Sequence, residues 1–189
     1  MAEADLVAQA VQGSPDAVSS LLAAVRPQVV RYCRARLGPI GGAYTEADDV
    51  AQEVCVAILG ALPRFRDQGV PFLAFVFGIA ARKVADAHRA ATRRFPLSNV
   101  DTIPDRPDPD PGPEQLALAA DLSRRLSSLL GELPDAQREI VVLRVAVGLS
   151  AEEVGGVMGM SAAAVRVAQS RALHRLRNKA NTLVDEMAP

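Results

Sequence analysis

Residues 150–177 read SAEEVGGVMGMSAAAVRVAQSRALHRLR. Ser150 followed three residues later by Glu153 is a capping box, which satisfies the free amides at a helix start. A short helix follows, carrying Val154, Gly155 and Met158. Gly159-Met160-Ser161 then interrupts it. The glycine supplies a left-handed turn, Met160 fills the core and Ser161 caps the next helix. That helix turns Val165 and Ala168 inward. An apolar position, a small residue beside it, a glycine turn and a branched residue beyond are the grammar of a helix-turn-helix. Gly155 marks where the two helices cross closely.

The second helix of that unit is basic. It carries Arg166, Arg171, His174, Arg175, Arg177 and Lys179, and no acid occurs between residues 166 and 184. A helix of that charge, projected by a turn, suits the major groove of duplex DNA. Arginines in its N-terminal half would reach base edges, and those further along would hold phosphates. The charge run alone would equally suit a solvated face of a packing helix; the turn favours DNA.

Upstream, Pro134 starts a helix through Ile140, Val141 and Leu143 to Val147, and residues 114–131 form another. Between Phe95 and Pro113 lie six of the chain's 13 prolines. Proline removes backbone donors, so this stretch reads as an extended linker rather than helix or inner strand. It is acidic: residues 96–114 carry one basic and five acidic groups, whereas residues 1–95 carry a net +2 and residues 115–189 a net +1. The overall charge of −1 therefore masks two basic segments. The reading is an all-α chain of two small helical domains, residues 1–95 and 114–189, joined by a Pro-rich acidic linker over 96–113.

The first domain is helical throughout. Ser14-Pro15-Asp16 is a helix start, and Val18, Leu21, Leu22, Val25, Val29, Val30 and Cys33 follow at helical spacing. Pro27 is expected to kink or split that run. Thr45 caps a further helix whose buried stripe is Val50, Val54 and Ile58, ending near Leu62-Pro63. Asp49, Gln52 and Glu53 share another face, and spacing alone leaves them as an ordinary solvated patch. Arg64 to Gly69 is a charged loop. Pro71 opens a helix that is apolar through Phe77 to Ala81, then basic with Arg82, Lys83, Arg89, Arg93 and Arg94, opposed only by Asp86. Aromatics beside a basic groove suit unpaired bases, but Phe72, Phe75, Phe77 and Ile79 read more readily as core, leaving the loop residues for base contact. No segment alternates at period two, so no sheet is expected.

Several classes are excluded. There is no Gly-rich phosphate loop, no Ser/His/Asp set and no metal cluster, so no catalytic residue, cofactor or metal is implied. Cys33 and Cys55 form no CxxC pair and read as small core hydrophobes. No apolar run is long enough to span a membrane. Glu3 and Asp5 argue against a signal peptide, which points to the cytoplasm.

Three runs together carry a resemblance: Asp48-Asp49-Val50-Ala51-Gln52-Glu53-Val54, then Leu62-Pro63-Arg64-Phe65-Arg66, then Phe72 through Ala81. They resemble region 2 of group 4, extracytoplasmic-function (ECF) bacterial sigma factors of the sigma-70 family. Leu133 through Ile140 and the helix-turn-helix resemble region 4. Arg31 through Arg36 and Val84 through Ala91 look most like the actinobacterial sigma-D-like group, in keeping with 19 arginines against two lysines. The resemblance implies a subunit that docks on core RNA polymerase, with Asp49, Gln52 and Glu53 on the β′ clamp helices and region 4 on the β flap. It further implies that Arg64, Phe65, Arg66, Asp67 and Gln68 capture a flipped base of the −10 element. Arg82, Lys83, Asp86 and Arg89 would grip that element's upstream edge. Ser161, Arg166, Gln169, Ser170 and Arg171 would read the −35 element, with His174 and Arg175 on phosphates. An anti-sigma factor is a further implied partner, and membrane insertion is not implied. The alternative reading is a polymerase-independent helix-turn-helix regulator, which predicts a dimer and a palindromic site.

Overall fold

The computed structural model describes residues 3–38, 44–66, 69, 71–94, 121–122 and 125–187. Among them the secondary structure is helical, without strands. The N-terminal part comprises α1 (Glu3–Val11), α2 (Pro15–Leu37), α3 (Thr45–Ala61), a 3₁₀ turn (Leu62–Arg64) and α4 (Phe72–Arg94). The C-terminal part holds helical residues 125–131, then α5 (Asp135–Val141), a π-helical turn (Val142–Val147), α6 (Ala151–Met158) and α7 (Ala162–Met187).

The local signals act largely as read. The Ser14 hydroxyl accepts from the Ala17 amide at the start of α2. The Ser150 hydroxyl accepts from the Glu153 amide at 3.1 Å while the Glu153 carboxylate accepts from the Ser150 amide at 2.6 Å, closing the capping box. Ser161 caps α7 by accepting from Ala164 at 3.2 Å.

Three expectations are corrected. Pro27 does not split α2, which runs unbroken through it. An interior proline costs about 3 kcal/mol, but Val25 and Val29, on either side of it, are buried, and that packing holds the helix together. Thr45 is the first residue of α3 rather than its cap, and Tyr44 before it offers no side-chain bond. The helix from Pro134 to Val147 changes pitch at Val142 into a π turn that ends at Gly148 in the left-handed conformation. Arg144 braces this turn by donating to the Leu149 carbonyl beyond its end.

The central element is α2. Its buried stripe of Leu21, Val25, Val29, Tyr32 and Cys33 meets α1, α3 and α4 and also the π turn of the C-terminal part. The sequence suggests two domains; in the structure their described residues share one apolar core. Val54, Val76, Phe77 and Val84 from the first part lie in the same cluster as Ile140, Leu143, Val154 and Val165 from the second. Burying one such side chain fully contributes about 1.5–3 kcal/mol. Polar contacts fix the register of the two parts. Tyr32 donates its hydroxyl to Glu139 Oε1 at 2.7 Å, Arg36 pairs with Glu139 Oε2 at 3.2 Å, and Arg31 donates to the Val147 carbonyl at 3.1 Å. A Cβ built on Gly156 would lie 2.6 Å from the Pro71 side chain, so α6 and the start of α4 touch at the closest possible spacing.

Cys33 lies in this core, fully buried, and Cys55 is half-buried. Burial pushes the Cys33 thiol up to about 12. The folded chain therefore keeps Cys33 neutral where the unfolded chain would ionise, so its contribution to stability is complete below about pH 8.5 and declines as pH rises above it. Under native conditions at pH 8, iodoacetamide is expected to modify Cys55 at least about tenfold faster than Cys33, because attack needs an accessible thiolate. Peptide mass spectrometry over a time course measures both rates; equal rates would contradict the burial of Cys33.

Candidate nucleic-acid interface

The helix-turn-helix is built from α6 and α7. The Met160 amide donates to the Gly155 carbonyl at 2.9 Å, and Gly159 turns the chain at φ +65°. A Cβ on Gly155 would meet the Met160 carbonyl oxygen at 2.6 Å. That oxygen is backbone and cannot swing away, so only glycine allows this approach. Gly155→Ala is expected to cost about 1–3 kcal/mol, as an overpacked core does. The midpoint of urea unfolding reads it directly. An unchanged midpoint would mean that the two helices do not close as described.

On α7, Val165 and Ala172 are buried and anchor the helix, while Ser161, Arg166, Ser170, Arg171, His174 and Arg175 lie on its exposed side. Arg166 is paired with Glu152 of α6. His174 contacts Asn178 at 3.2 Å, one turn on. Gln169 differs from its neighbours: its Oε1 accepts from Arg144 Nε at 3.0 Å, so the π turn holds this amide half-buried at the edge of the face. A smaller cluster of Leu133, Val141 and Ala172 seats the rest of α7 on α5 and on the C-terminal end of the helix over 125–131. Arg138 closes that helix's end by donating to the carbonyls of Leu130, Gly131 and Leu133 at 2.8–3.0 Å. Cationic side chains are favoured at helix C-termini because four carbonyls there lack intrahelical partners.

On α3, Asp49, Gln52 and Glu53 are exposed, while Val50 and Val54 face the core. The stripe continues into Val56 and Leu59, also exposed, giving an acidic turn followed by an apolar one. Asp48, one residue earlier, faces elsewhere. Arg34 grips it with two hydrogen bonds of 2.7 and 2.6 Å, which hold its carboxyl below the usual carboxylate range, and the same guanidinium lies over the Tyr44 ring. Glu53 is met by Lys83 of α4 at 3.0 Å.

On α4 and the loop before it, Arg82 is exposed, Lys83 turns toward α3, and Asp86 and Arg89 pair with each other one turn apart. Phe72 and Phe77 are buried as read, and Phe75 and Ile79 are half-buried against the same core. Phe65 stacks edge-on against Phe72 at 5.5 Å and tilts against Phe75 at 5.1 Å. Arg64 is exposed, and Arg66 donates to the Pro63 and Phe65 carbonyls at 3.3 and 3.2 Å. Asp67 and Gln68 lie outside the described residues. The structure thus gathers the named residues into an acidic face on α3, a basic and aromatic face around Phe65 and α4, and a basic face on α7. The sequence assigns no contact to Glu139, Arg144, Arg138 or Arg31, because nothing in their local spacing signals their distant partners.

The Sigma-70 region 2 family matches residues 21–94, and the Sigma-70 region 4 family matches residues 129–178. The chain is 55% identical over 176 residues to the ECF RNA polymerase sigma factor SigD of Mycobacterium tuberculosis, covering 92% of this chain and 82% of that one. It is 54% identical over 175 residues to the ECF RNA polymerase sigma factor ShbA of Streptomyces griseus, covering 91% and 92% of the two chains. Among solved structures, that of CnrH in complex with the cytosolic domain of CnrY superposes with a TM-score of 0.62 at 30% identity, covering 97% of both chains. The chain belongs to the ECF sigma factors of the sigma-70 family. These relatives are transcription factors rather than enzymes. Among the described residues, no helix is long and apolar enough to cross a membrane.

Proposed function

We propose that this chain acts in the cytoplasm as a promoter-specificity subunit. It docks on core RNA polymerase through Asp49, Gln52 and Glu53 on the clamp helices of β′ and through its region 4 on the β flap. It reads the −35 duplex with the exposed face of α7 and opens the −10 element. There the segment Arg64–Gln68 takes a flipped base, and Arg82, Lys83, Asp86 and Arg89 hold the upstream edge. Extruding a base costs a few kcal/mol, offset by pocket contacts and backbone cations. The observation that carries this reading is the pairing, in one chain, of the exposed arginine face on α7 with the exposed acidic turn on α3. An anti-sigma factor is proposed as a second partner, since the structural relative CnrH is held by the cytosolic domain of CnrY.

The shared core adds a step. The −10 and −35 elements lie roughly 25 base pairs apart, about 85 Å at about 3.4 Å per pair. A compact chain of 189 residues has a radius of gyration near 16 Å on the scaling R ≈ 2.2·N^0.38. The two parts therefore separate before both elements are read, and the polymerase covers the faces this exposes.

Run-off transcription with actinobacterial core polymerase, this chain and a library of genomic promoter fragments tests the reading. Transcripts with discrete 5′ ends sharing −35 and −10 boxes are the expected result. The absence of both starts and a complex with core would overturn it in favour of a polymerase-independent regulator.

A further inference from the structure

A cavity of about 360 Å³ lies where the two parts of the chain meet. Its size falls within the range of small-ligand pockets, about 300–1,000 Å³. Arg36 near the end of α2 and His88 on α4 line it from the first part, and Ser127 and Arg138 line it from the second. Among the described residues no carboxylate lines it. Glu139 and Asp135 pair with Arg36 and Arg138 at 3.2 and 3.3 Å, so both guanidiniums are fixed in place. The Nε of Arg36 is buried and meets no acceptor among the described residues. A buried donor in that state is costly and marks a place where an acceptor is wanted. The His88 Nε2 lies 3.2 Å from the Arg36 carbonyl oxygen, which sets the ring beside the guanidinium's own backbone.

We propose that Ser127 is a phosphorylation site and that its phosphoryl group enters this cavity, tying the two parts together. Ser127 is exposed, as are Arg125, Leu126 and Ser128 beside it, so a modifying enzyme reaches the hydroxyl. A segment with so little buried leaves its helix at low cost. In sequence the serine follows Arg124-Arg125-Leu126, which suits a kinase with an acidic substrate groove. The Ser127 oxygen attacks the γ-phosphorus of a nucleoside triphosphate. The new O–P bond forms as the bond to the β-phosphate oxygen breaks, the nucleoside diphosphate leaves, and the hydroxyl proton passes to the kinase's base. The Ser127 Oγ lies 3.5 Å from where a Cβ on Gly38 would stand, so the added group starts against the end of α2. It brings a charge of about −1.5 to −2 and three acceptor oxygens. Arg36 Nε is a donor in want of an acceptor, and guanidinium and phosphate match in geometry. The carbonyl end of α2 opposes the charge with about half an elementary charge, less than one guanidinium supplies. Because Ser127 belongs to the second part and Arg36 and His88 to the first, each bond formed to them crosses the seam.

The test uses the full chain. Incubation with a basophilic serine/threonine kinase and labelled ATP is expected to place phosphate on Ser127, located by peptide mass spectrometry. Chain made with phosphoserine at position 127 is expected to melt roughly 3–6 °C above the unmodified chain, as one or two charge-assisted bonds give at this size. Phosphoserine at position 128 is the control. It adds the same charge one residue along and off the cavity, and is expected to move the midpoint by less than about 1 °C. In Arg36→Ala, whose own midpoint is lower, the gap between the modified and unmodified forms is expected to shrink by at least about half. Inorganic phosphate at about 5 mM is expected to leave the unmodified chain within about 1 °C of its midpoint. A rise as large as that from the modification, kept in Ser127→Ala, would make the cavity a free-anion site and overturn the role of the serine. No label on Ser127, or equal midpoints for the two phosphoserine forms, overturns the proposal outright. The lock does not depend on the promoter reading, but its consequence rests on it: if the parts separate on the polymerase, phosphoserine at 127 weakens binding to core by roughly tenfold. A raised midpoint with unchanged affinity for core would leave the lock standing and overturn the separation step instead.

Discussion

Replacing Glu139 with alanine is expected to lower the thermal midpoint of this protein by roughly 4–12 °C. Glu139 sits at the only point where one carboxylate serves two partners across the two parts of the chain among the described residues. Oε1 accepts from Tyr32, whose ring is fully buried, and Oε2 pairs with Arg36. Burial pushes the Tyr32 hydroxyl far above its ordinary range, so it stays a donor at any working pH. Removing the carboxylate strands that hydroxyl and a partly buried guanidinium, at a cost of about 2–3 kcal/mol. For a chain of this size each kcal/mol shifts the midpoint by about 2–4 °C. Tyr32→Phe alone removes the donor together with its need and is expected to cost only about 1 kcal/mol. In the Glu139→Ala background Tyr32→Phe is expected to cost nothing or to help, which a double-mutant cycle reads out. There is a functional counterpart. If the parts must separate on the polymerase, weakening their contact by about 2 kcal/mol raises the apparent affinity for core by up to about 30-fold. A lower midpoint with unchanged affinity for core would show that separation is not on the binding path.

The second large effect concerns α3. Asp49→Lys combined with Glu53→Lys is expected to weaken binding to core polymerase by at least about 30-fold, since placing like charges against each other at the proposed docking patch costs about 2 kcal/mol or more. Both side chains are exposed and the opposite face of α3 is in the core, so the fold is expected to survive. The cost in stability is limited to the Glu53–Lys83 pair and to a lost acid near the start of α3, a few tenths to about 1 kcal/mol. Asp48→Asn is the control. It sits next to Asp49 but serves Arg34, so it is expected to leave core affinity within about twofold, because i and i+1 side chains of a helix face different neighbours. Affinity measured by fluorescence anisotropy with labelled chain decides both. Equal losses from Asp48→Asn and the double variant would mean that the whole acidic turn acts through helix stability rather than contact.

Much of the local structure that carries the candidate surfaces was legible in the sequence, for a definite reason. Helix caps, the glycine turn and the apolar period act between residues three to six apart. Ser150 with Glu153, and Gly155 with Met160, accordingly form the contacts their spacing calls for. The family, too, was legible, because the motifs that carry it are contiguous. What spacing could not supply was the choice among equals. Asp48 and Asp49 are identical in type and adjacent, yet one is tied to Arg34 and the other is exposed. Lys83 and Arg82 are adjacent cations, yet Lys83 meets Glu53 thirty residues away. Gln169 sits among exposed neighbours, yet Arg144 holds it.

By itself, then, the sequence determined the helices, their caps, the helix-turn-helix and the membership of the ECF sigma factors, all of them set by short-range sterics, hydrogen bonding and local pattern. Only the tertiary structure decided that the two helical parts share one core, that Glu139 bridges them to Tyr32 and Arg36, and that Pro27 leaves α2 whole. Each of these depends on burial and on partners far apart in the chain. Burial is a property of the assembled surface, and local spacing carries no information about which distant group will be there to complete it.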